Sequence, residues 1–320
     1  MKRLRRSMVI IPGNVPQFLE KCRSMEADVL VFDLQDAIAK VDAAKREARQ
    51  LVIRTLADRS FKAREICVRV NSPGSPWMAD DIKGVVDAGV DSIMVSHGYG
   101  AGDLAYAEGC IHSAGASRPV ESIVEVDTPA MLADLDAIAR TATTVTGLAV
   151  AAYDFALEMG AQLFGPHASP SEDWLEDCRS RLLMVARWKG WNATDLVSVN
   201  NLAGPDMEPA MRRSRGLGFD GVTLLYPRLV PMANEIFGVS PEEFAWARAL
   251  VDGWRQQDGG PDWNKGARKV GGALVLSPTY EYACRVLLHR AVIDGDLEAT
   301  QRFRSEGLAS HEYLVEKRIR

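Results

Sequence analysis

Polar side chains follow apolar segments at several places in this chain, and their types can support chemistry. Residues 29–32 are fully apolar and are followed by Asp33, Gln35 and Asp36. A carboxylate at the end of an apolar strand must be hydrated, paired or bound to a metal ion. Other apolar segments end in Arg69, Asn71, His97, Glu125, Asp127, Asp154, Asn200 and Tyr226. Repeated strands that each deliver a polar residue at the C-terminal end are typical of β/α-barrel active sites.

Glu125 and Asp154 are the predicted metal ligands. They come from the fifth and sixth predicted strands, which are neighbours in a barrel, so their carboxylates can converge at one rim. Two hard oxygen ligands that leave positions open for water and substrate suit Mg²⁺. The alternative is a pair of ordinary hydrogen-bonded acids at the strand ends.

Arg69, within V-R-V-N of the third predicted strand, is predicted to be catalytic and to bind substrate. Its guanidinium offers a rigid donor fork for a carboxylate or a developing oxyanion. A salt bridge to Asp33 or Asp36 is the alternative, and both roles can hold together. Asp36 is predicted to cap the following helix. Asp33 is the better candidate for a catalytic residue that holds the water shell of a metal ion.

His97 ends the fourth predicted strand and is a candidate catalytic residue, either a general base or a donor to substrate. A structural histidine is the alternative. Asp127, Thr128 and Pro129 begin the helix after the fifth strand with a cap and an early proline. Because the free N–H groups of a helix start can hold a substrate carboxylate, Asp127 and Thr128 are predicted to bind substrate.

These residues require a scaffold of alternating strands and helices. Strands are predicted at residues 8–12, 29–33, 65–70, 92–97, 120–126, 145–153, 195–199 and 221–225. Helices are predicted at residues 16–26, 40–57, 77–88, 103–115, 129–140, 171–189, 206–216 and 229–237. Strands buried on both faces and separated by helices form a parallel sheet, and eight units favour a closed barrel. The predicted fold class is α/β, a modified TIM (β/α)₈ barrel over residues 1–240.

The pattern changes after residue 240. Helices are predicted at residues 241–256, 278–293 and 297–306, with an extended segment at 271–276. Residues 241–320 are therefore predicted to form a C-terminal helical appendage on the barrel. This appendage has little core of its own, so its apolar residues are expected to pack on a neighbouring subunit of a homo-oligomer. The residues in question are Tyr282, Val286, Leu287 and Leu288.

The composition excludes several classes of protein. With 320 residues and 47% hydrophobic residues, the chain can bury a sizeable core. The net charge of −5 argues against a nucleic-acid partner. Pro12 and Gly13 stop the first apolar run, and no segment approaches the roughly 18 apolar residues that span a membrane. Five cysteines without C-x-x-C spacing indicate a reduced, cytoplasmic protein.

Several motifs, in this order and spacing, resemble the citrate lyase β-subunit-like group of the HpcH/HpaI aldolase family. They are R-S-M-V-I-I-P-G-N, F-D-L-Q-D-A, V-R-V-N, the Glu125 strand and A-A-Y-D-F-A-L-E-M-G. The resemblance runs from Arg5 to near Glu281. It implies a modified TIM barrel that cleaves or forms a C–C bond next to a carbonyl. It also implies Mg²⁺ on Glu125 and Asp154, a catalytic arginine at Arg69, and a homotrimer or hexamer.

The chain departs from that family pattern at several positions. Gln35 replaces the acid of F-D-L-E-D, His97 stands where lysine is frequent, and Tyr226 replaces the residue before the proline of I-H-P. In acyl-CoA lyase relatives the last acid of the tail motif reaches a neighbouring subunit's site, and that position is here Leu276. The resemblance therefore implies that the metal and enolate machinery is retained, while proton transfer to a CoA ester is altered.

Together these features predict a Mg²⁺-dependent carbon–carbon lyase. Its substrate is expected to be a 2-oxo or 2-hydroxy carboxylate, or the acyl-CoA ester of one. One alternative is an acyl-CoA thioesterase that uses the same metal site. The other is a non-catalytic paralogue that binds a dicarboxylate.

Overall fold

Eight parallel strands form a closed barrel in the first of two compact units. A computed structural model describes residues 3–162, 175–196, 207–256 and 267–304. The units comprise Met1–Phe237 and Gly238–Arg320. The strands are β1 (Ser7–Pro12), β2 (Val29–Asp33), β3 (Glu65–Arg69), β4 (Ser92–Val95), β5 (Glu121–Val126), β6 (Val145–Val150), β7 (Asn192–Asp195) and β8 (Gly221–Leu224). They pair in chain order and β1 closes on β8, which confirms the predicted TIM-barrel class.

Helices lie between the strands of this unit. They are α1 (Pro16–Lys21), α2 (Asp42–Ala57), α3 (Met78–Asp87), α4 (Ala101–Ser113), α5 (Pro129–Ala133), α6 (Leu135–Thr141), α7 (Ala152–Met159), α8 (Glu176–Lys189), α9 (Met207–Leu217) and α10 (Val230–Ile236). Helices α7 and α8 end at Gly160 and Gly190, whose left-handed conformation satisfies the last carbonyl groups. Across the described ranges, no helix combines the length and apolar character needed to cross a membrane.

Side chains alternate between the barrel interior and the helices because successive residues of a strand face opposite ways. One interior apolar cluster comprises Met8, Val29, Val31, Cys67, Met94, Ile123 and Ala149. Residues two positions away on the same strand face the same way. On β3 this places Glu65 and Arg69 on the interior face, one at each end, and on β5 it does the same for Glu121 and Glu125. The strand period thus puts polar layers at both ends of the apolar one.

The N-terminal polar layer is closed by the buried Arg5 side chain. Its Nε and Nη2 donate to both carboxylate oxygens of Glu65 at 2.9 Å, and Nη2 also donates to Glu121 at 3.0 Å. Thr146 accepts a further bond from Nη2 at 3.0 Å. Gly147 leaves room for this guanidinium, because a Cβ atom at that position would lie 2.7 Å from Nη1 of Arg5. This network fills the end of the barrel opposite the predicted site.

Two predicted strands end elsewhere. The sixth was expected to reach residue 153, but β6 ends at Val150, and Asp154 lies in the first turn of α7. The seventh was expected at residues 195–199, but β7 is Asn192–Asp195. This strand contains the buried polar residues Asn192 and Thr194. Its sequence is therefore less apolar than that of the segment after it, which was predicted as the strand. Residues 197–199 and Asn200 lie outside the described residues.

The second unit has its own hydrophobic core. It contains α11 (Pro241–Gln256), the antiparallel strands β9 (Ala267–Val270) and β10 (Ala273–Leu276), and α12 (Ser277–Asp294). Val286 and Leu287 are buried in this core with Trp254 and Tyr280. The expectation that these two residues cover a neighbouring subunit was therefore wrong. Tyr282, by contrast, is 54% exposed.

We expect Arg5→Met to lower the free energy of unfolding by about 3–5 kcal/mol, because it leaves the buried Glu65 carboxylate without its cation. Urea denaturation followed by circular dichroism measures this loss. Arg3→Met is the matched control, since Arg3 also pairs with Glu121 but its side chain is 29% exposed. An exposed pair contributes about 1 kcal/mol or less. Equal losses in the two variants would contradict a stabilising role for the Arg5 network.

Candidate active site

Asp33 and Arg69 form an ion pair at the C-terminal end of the barrel. They are register partners at the ends of β2 and β3, so their side chains leave neighbouring strands at the same height. Nε of Arg69 donates to Oδ1 of Asp33 at 3.0 Å, and Nη2 donates to Oδ2 at 2.8 Å. A bidentate pair of this kind fixes the plane of the guanidinium. The predicted salt bridge is therefore present and orients Arg69.

Glu125, on β5, contacts the same guanidinium. Nη1 of Arg69 donates to Oε2 of Glu125 at 3.3 Å, and Glu125 is 3% exposed. Burial raises the pKa of Glu125, although the charge of Arg69 opposes that shift. Burial disfavours the charge of Arg69, but the charges of Glu125 and Asp33 raise its pKa above its ordinary value. Arg69 is thus a permanent cation between two carboxylates.

The loop after β2 folds back on the Asp33 carboxylate. Oδ1 of Asp33 accepts from the backbone N–H of Gln35 at 2.8 Å, and Oδ2 accepts from that of Ala37 at 3.1 Å. Asp36 was predicted to cap a helix, but this was wrong because α2 begins only at Asp42. The Asp36 side chain instead points towards Arg69, with Oδ2 3.7 Å from Nη2.

Lys45 and Ser96 hold this loop, and both were missed in the sequence. The buried Lys45 Nζ donates to the carbonyl oxygens of Leu34 at 2.9 Å and Gln35 at 2.7 Å. Burial lowers the pKa of Lys45. Oγ of Ser96 donates to Oε1 of Gln35 at 2.9 Å. The available signal was a lysine three residues before Ala48, on the buried face of an amphipathic helix.

His97 lies two residues after the end of β4, between two acids. Its Nε2 is 3.4 Å from Oδ2 of Asp36, and its Nδ1 is 3.9 Å from Oδ2 of Asp127. The hydrogen bond to Asp36 raises the pKa of His97 to about 9, although burial opposes it. Burial also opposes ionisation of Asp36, but the bond to His97 and the charge of Arg69 lower its pKa overall.

Asp127 and Thr128 are buried beside His97. The backbone N–H of His97 donates to Oδ2 of Asp127, and burial raises the pKa of Asp127 to about 7. Oγ1 of Thr128 donates to the Gly98 carbonyl at 3.0 Å and accepts from the N–H of Met131 at 3.0 Å. The Thr128 hydroxyl is therefore used within the protein. The predicted substrate contact can involve only the backbone of Thr128, not its side chain.

Asp154 joins this group from α7. One ligand atom each from Asp36, His97 and Asp154 lies within 4.8 Å of the other two. Burial raises the pKa of Asp154, although the charge of His97 opposes this. Repulsion from Asp154 also contributes to the raised pKa of Glu125. The charge of Asp154 thus acts on Glu125, the other predicted metal ligand, although Glu125 lies on a strand and Asp154 lies in a helix.

This end of the barrel carries more negative than positive charge. The interacting carboxylates belong to Asp33, Asp36, Glu125, Asp127 and Asp154. Within the described ranges, the cations paired with them are Arg69 and His97. A bound divalent cation would relieve this surplus, and the oxygen donors of Glu125 and Asp154 fit a hard ion such as Mg²⁺.

Two other polar residues predicted at strand ends, Asn71 and Tyr226, do not add to this group. Nδ2 of Asn71 donates to Oδ2 of Asp81 at 2.6 Å, which ties the loop after β3 to α3. The Arg228 guanidinium lies 5.4 Å from the ring centre of Tyr226, which is 41% exposed. Asn200 is outside the described residues.

The sequence is similar to that of characterised enzymes. The citrate lyase subunit beta of Leuconostoc mesenteroides subsp. cremoris is 29% identical over 255 residues, which cover 78% of this chain and 82% of that protein. The (3S)-malyl-CoA thioesterase of Cereibacter sphaeroides strain KD131 is 28% identical over 253 residues, which cover 79% and 84%.

The fold is similar to that of a solved structure, protein CitE from Mycobacterium tuberculosis in complex with magnesium, acetoacetate and coenzyme A. The TM-score is 0.68 at 23% identity, and the match covers 89% of this chain and 97% of that one. The family model for HpcH/HpaI aldolase/citrate lyase matches residues 6–227, which include every residue of the site from Asp33 to Asp154. The chain therefore belongs to the HpcH/HpaI aldolase/citrate lyase family.

Proposed function

We propose that this chain is a Mg²⁺-dependent carbon–carbon lyase. Its substrate is a 2-oxo or 2-hydroxy carboxylate, or the acyl-CoA ester of one. The observation that carries the proposal is the surplus of carboxylates around Arg69, with Glu125 buried and its pKa raised. The citrate lyase relative supports carbon–carbon bond chemistry. The ligands of the CitE complex support the cofactor and the substrate class.

Glu125 and Asp154 would hold the metal ion and Arg69 would face the reacting oxygen. When bound, Mg²⁺ polarises the substrate carbonyl or hydroxyl oxygen. Arg69, kept in plane by Asp33, donates N–H groups to the oxygen on which negative charge develops. One such donor typically lowers the barrier by about 3 kcal/mol. Asp33 thus acts through Arg69, as a residue that positions it.

His97 is assigned the proton transfer. In the cleavage direction, the substrate hydroxyl gives its proton to the carboxylate of Asp36 as the C–C bond breaks, and Asp36, 3.4 Å from Nε2 of His97, passes this proton on when His97 has given up its own. The electron pair then remains on the enolate fragment, whose carbon takes up a proton. Because the pKa of His97 is raised to about 9, its imidazole is protonated at neutral pH and can supply that proton. We therefore assign it the role of acid in cleavage, and that of base in the reverse direction.

We expect the protein to release a 2-oxo acid from one of malyl-, citramalyl- or citryl-type thioesters, or from a free 2-hydroxy acid. The reaction should require Mg²⁺. Arg69→Lys keeps the charge but loses the bidentate fork, and should lower kcat by about 10²- to 10³-fold. Glu125→Gln and Asp154→Asn should each weaken Mg²⁺ binding. Coupled assay of the oxo acid and calorimetry with Mg²⁺ measure these effects.

Asp87→Asn is the control, since Asp87 pairs with Lys83 on the exposed face of α3. It should change neither kcat nor Mg²⁺ affinity. Unchanged Mg²⁺ affinity in both Glu125→Gln and Asp154→Asn would contradict the proposed metal ligands. No turnover across the panel, with Mg²⁺-dependent ligand binding retained, would favour the non-catalytic alternative.

A thioesterase is the second candidate function, because one relative is a (3S)-malyl-CoA thioesterase. The products distinguish the two activities. A lyase keeps the thioester in one fragment, whereas a thioesterase releases the free thiol of CoA. We expect oxo-acid release without a free thiol. Stoichiometric thiol release without an oxo acid would identify a thioesterase.

We expect Asp36→Asn to lower the pKa of His97 in the metal-free protein from about 9 towards its ordinary value near 6.5. The raised pKa stabilises the folded state while His97 is protonated. That stabilisation is complete below about pH 6.5 and is lost as the pH rises through about 9. Imidazole ¹⁵N NMR measures the pKa directly. Asp87→Asn should leave it unchanged, and an equal pKa in Asp36→Asn would disprove the pairing.

We also propose that the second unit mediates a homotrimer or hexamer. Leu274, Leu276 and Tyr282 are exposed by 72%, 48% and 54%, which is unusual for large apolar side chains. We expect a trimer or a multiple of it by light scattering at micromolar concentration, and Leu274→Lys should weaken it. A monomer at that concentration would contradict the assembly.

The five free cysteines are consistent with a cytoplasmic location.

A further inference from the structure

We propose that Asp36, His97 and Asp154 form a second divalent-cation site, one that takes a transition-metal ion such as Mn²⁺ or Co²⁺. This site goes beyond the proposed function and shares Asp154 and His97 with it. An ion bound there takes the place of the proton on the ligating nitrogen of His97, so metal binding at this site and proton transfer by His97 exclude each other. One ligand atom of each residue lies within 4.8 Å of the other two. Protein ligands bind such ions at about 2.0–2.2 Å, so two ligands of one ion are at most about 4.4 Å apart. Small side-chain rotations therefore suffice to close the three residues around an ion.

The nitrogen of His97 decides which ions this site prefers. Mg²⁺ sites are built from oxygen ligands, whereas imidazole favours transition metals. Two carboxylates and one imidazole leave further positions open for water or for a bound substrate. The proposed Mg²⁺ site at Glu125 and Asp154 contains oxygen donors only. The two sites should therefore differ in metal preference.

Asp127 supplies an independent observation in support of this site. Its Oδ2 lies 3.9 Å from Nδ1 of His97, while Nε2 of the same ring faces Asp36. Its Oδ1 is buried and has no hydrogen-bond partner among the described residues. A metal-binding histidine usually donates its second ring N–H to a carboxylate, which fixes the ring and raises the basicity of the ligand nitrogen. Asp127 lies beside this nitrogen, and a small rotation of the ring would close the 3.9 Å distance to a hydrogen bond.

The site is accessible and distinct from the buried Glu125. The side chains of Asp36 and His97 are 41% and 30% exposed, whereas that of Glu125 is 4% exposed and bonded to Arg69. An ion can therefore reach Asp36 and His97 without disturbing the contact between Arg69 and Glu125. Asp154, in α7, belongs to the cluster with Asp36 and His97, and its charge also acts on Glu125.

The test is Mn²⁺ binding to the full chain after treatment with EDTA. Electron spin-echo modulation detects a ¹⁴N nucleus bound to Mn²⁺, and calorimetry gives the affinity. His97→Asn is the informative variant, because the φ of His97 is +52° and asparagine tolerates that left-handed region. Asp36→Asn is a second variant at an exposed position. Glu125→Gln is the matched control, since it removes only the oxygen-donor site.

We expect nitrogen modulation in the wild-type protein and in Glu125→Gln, and its loss in His97→Asn. Asp36→Asn should weaken Mn²⁺ binding, and Asp127→Asn should weaken it about 10- to 100-fold. The proposal is overturned if wild-type Mn²⁺ shows no nitrogen modulation, or if the modulation persists in His97→Asn. It is also overturned if Glu125→Gln abolishes all Mn²⁺ binding, an outcome that leaves the proposed function intact. If both Glu125→Gln and Asp154→Asn still bind Mg²⁺ with unchanged affinity and the nitrogen modulation is retained, the proposed function alone is contradicted.

Discussion

The charge at the C-terminal end of the barrel constrains the arrangement of the whole site. Arg69 is a cation whose side chain is 11% exposed, and it contacts Asp33 and Glu125 at once and keeps both carboxylates close together. Its charge is not sufficient for the remaining acids, and burial raises the pKa of Asp127 and Asp154. A site with such a surplus is stabilised when a cation binds. In our account, this need for a cation links the fold to metal-dependent chemistry.

The barrel delivers these side chains through the two-residue period of its strands. Glu65 and Arg69 lie at opposite ends of β3, on the face where Cys67 joins the apolar interior. The same face of β5 carries Glu121 and Glu125. Each strand therefore contributes one polar residue to a structural network and another to the candidate site. The apolar layer between them separates the Arg5 network from Arg69, so that the two ends can serve stability and function separately.

Sequence patterns predicted the barrel and the cluster of Asp33, Arg69, His97, Glu125 and Asp154. The apolar runs that end in polar residues marked the correct end of most strands. The predictions of strand ends were wrong where the local sequence pattern differs from the position that a residue takes in the folded barrel. Asp154 lies in a helix because β6 ends four residues earlier, and β7, a four-residue strand that contains Asn192, Thr194 and Asp195, was placed too late.

Other roles depend on contacts between residues far apart in the chain, which no local pattern records. Lys45 supports the Asp33 loop from α2, and Ser96 holds Gln35 from the loop after β4. Gln35, a departure from the family pattern, is thus fixed by a hydrogen bond across the barrel rim. His97, another departure, adopts a left-handed backbone that turns its ring between Asp36 and Asp127.

The most direct test of the central claim is a crystal structure of the protein with Mg²⁺ and oxaloacetate. Our account predicts one Mg²⁺ ion bound by Glu125 and Asp154 and chelated by the 2-oxo acid. It also predicts that Arg69 donates hydrogen bonds to the oxo acid while the ion pair with Asp33 fixes the plane of the Arg69 guanidinium. A structure in which Mg²⁺ or the oxo acid binds away from Glu125 and Asp154, with Arg69 still bonded only to carboxylates, would contradict it.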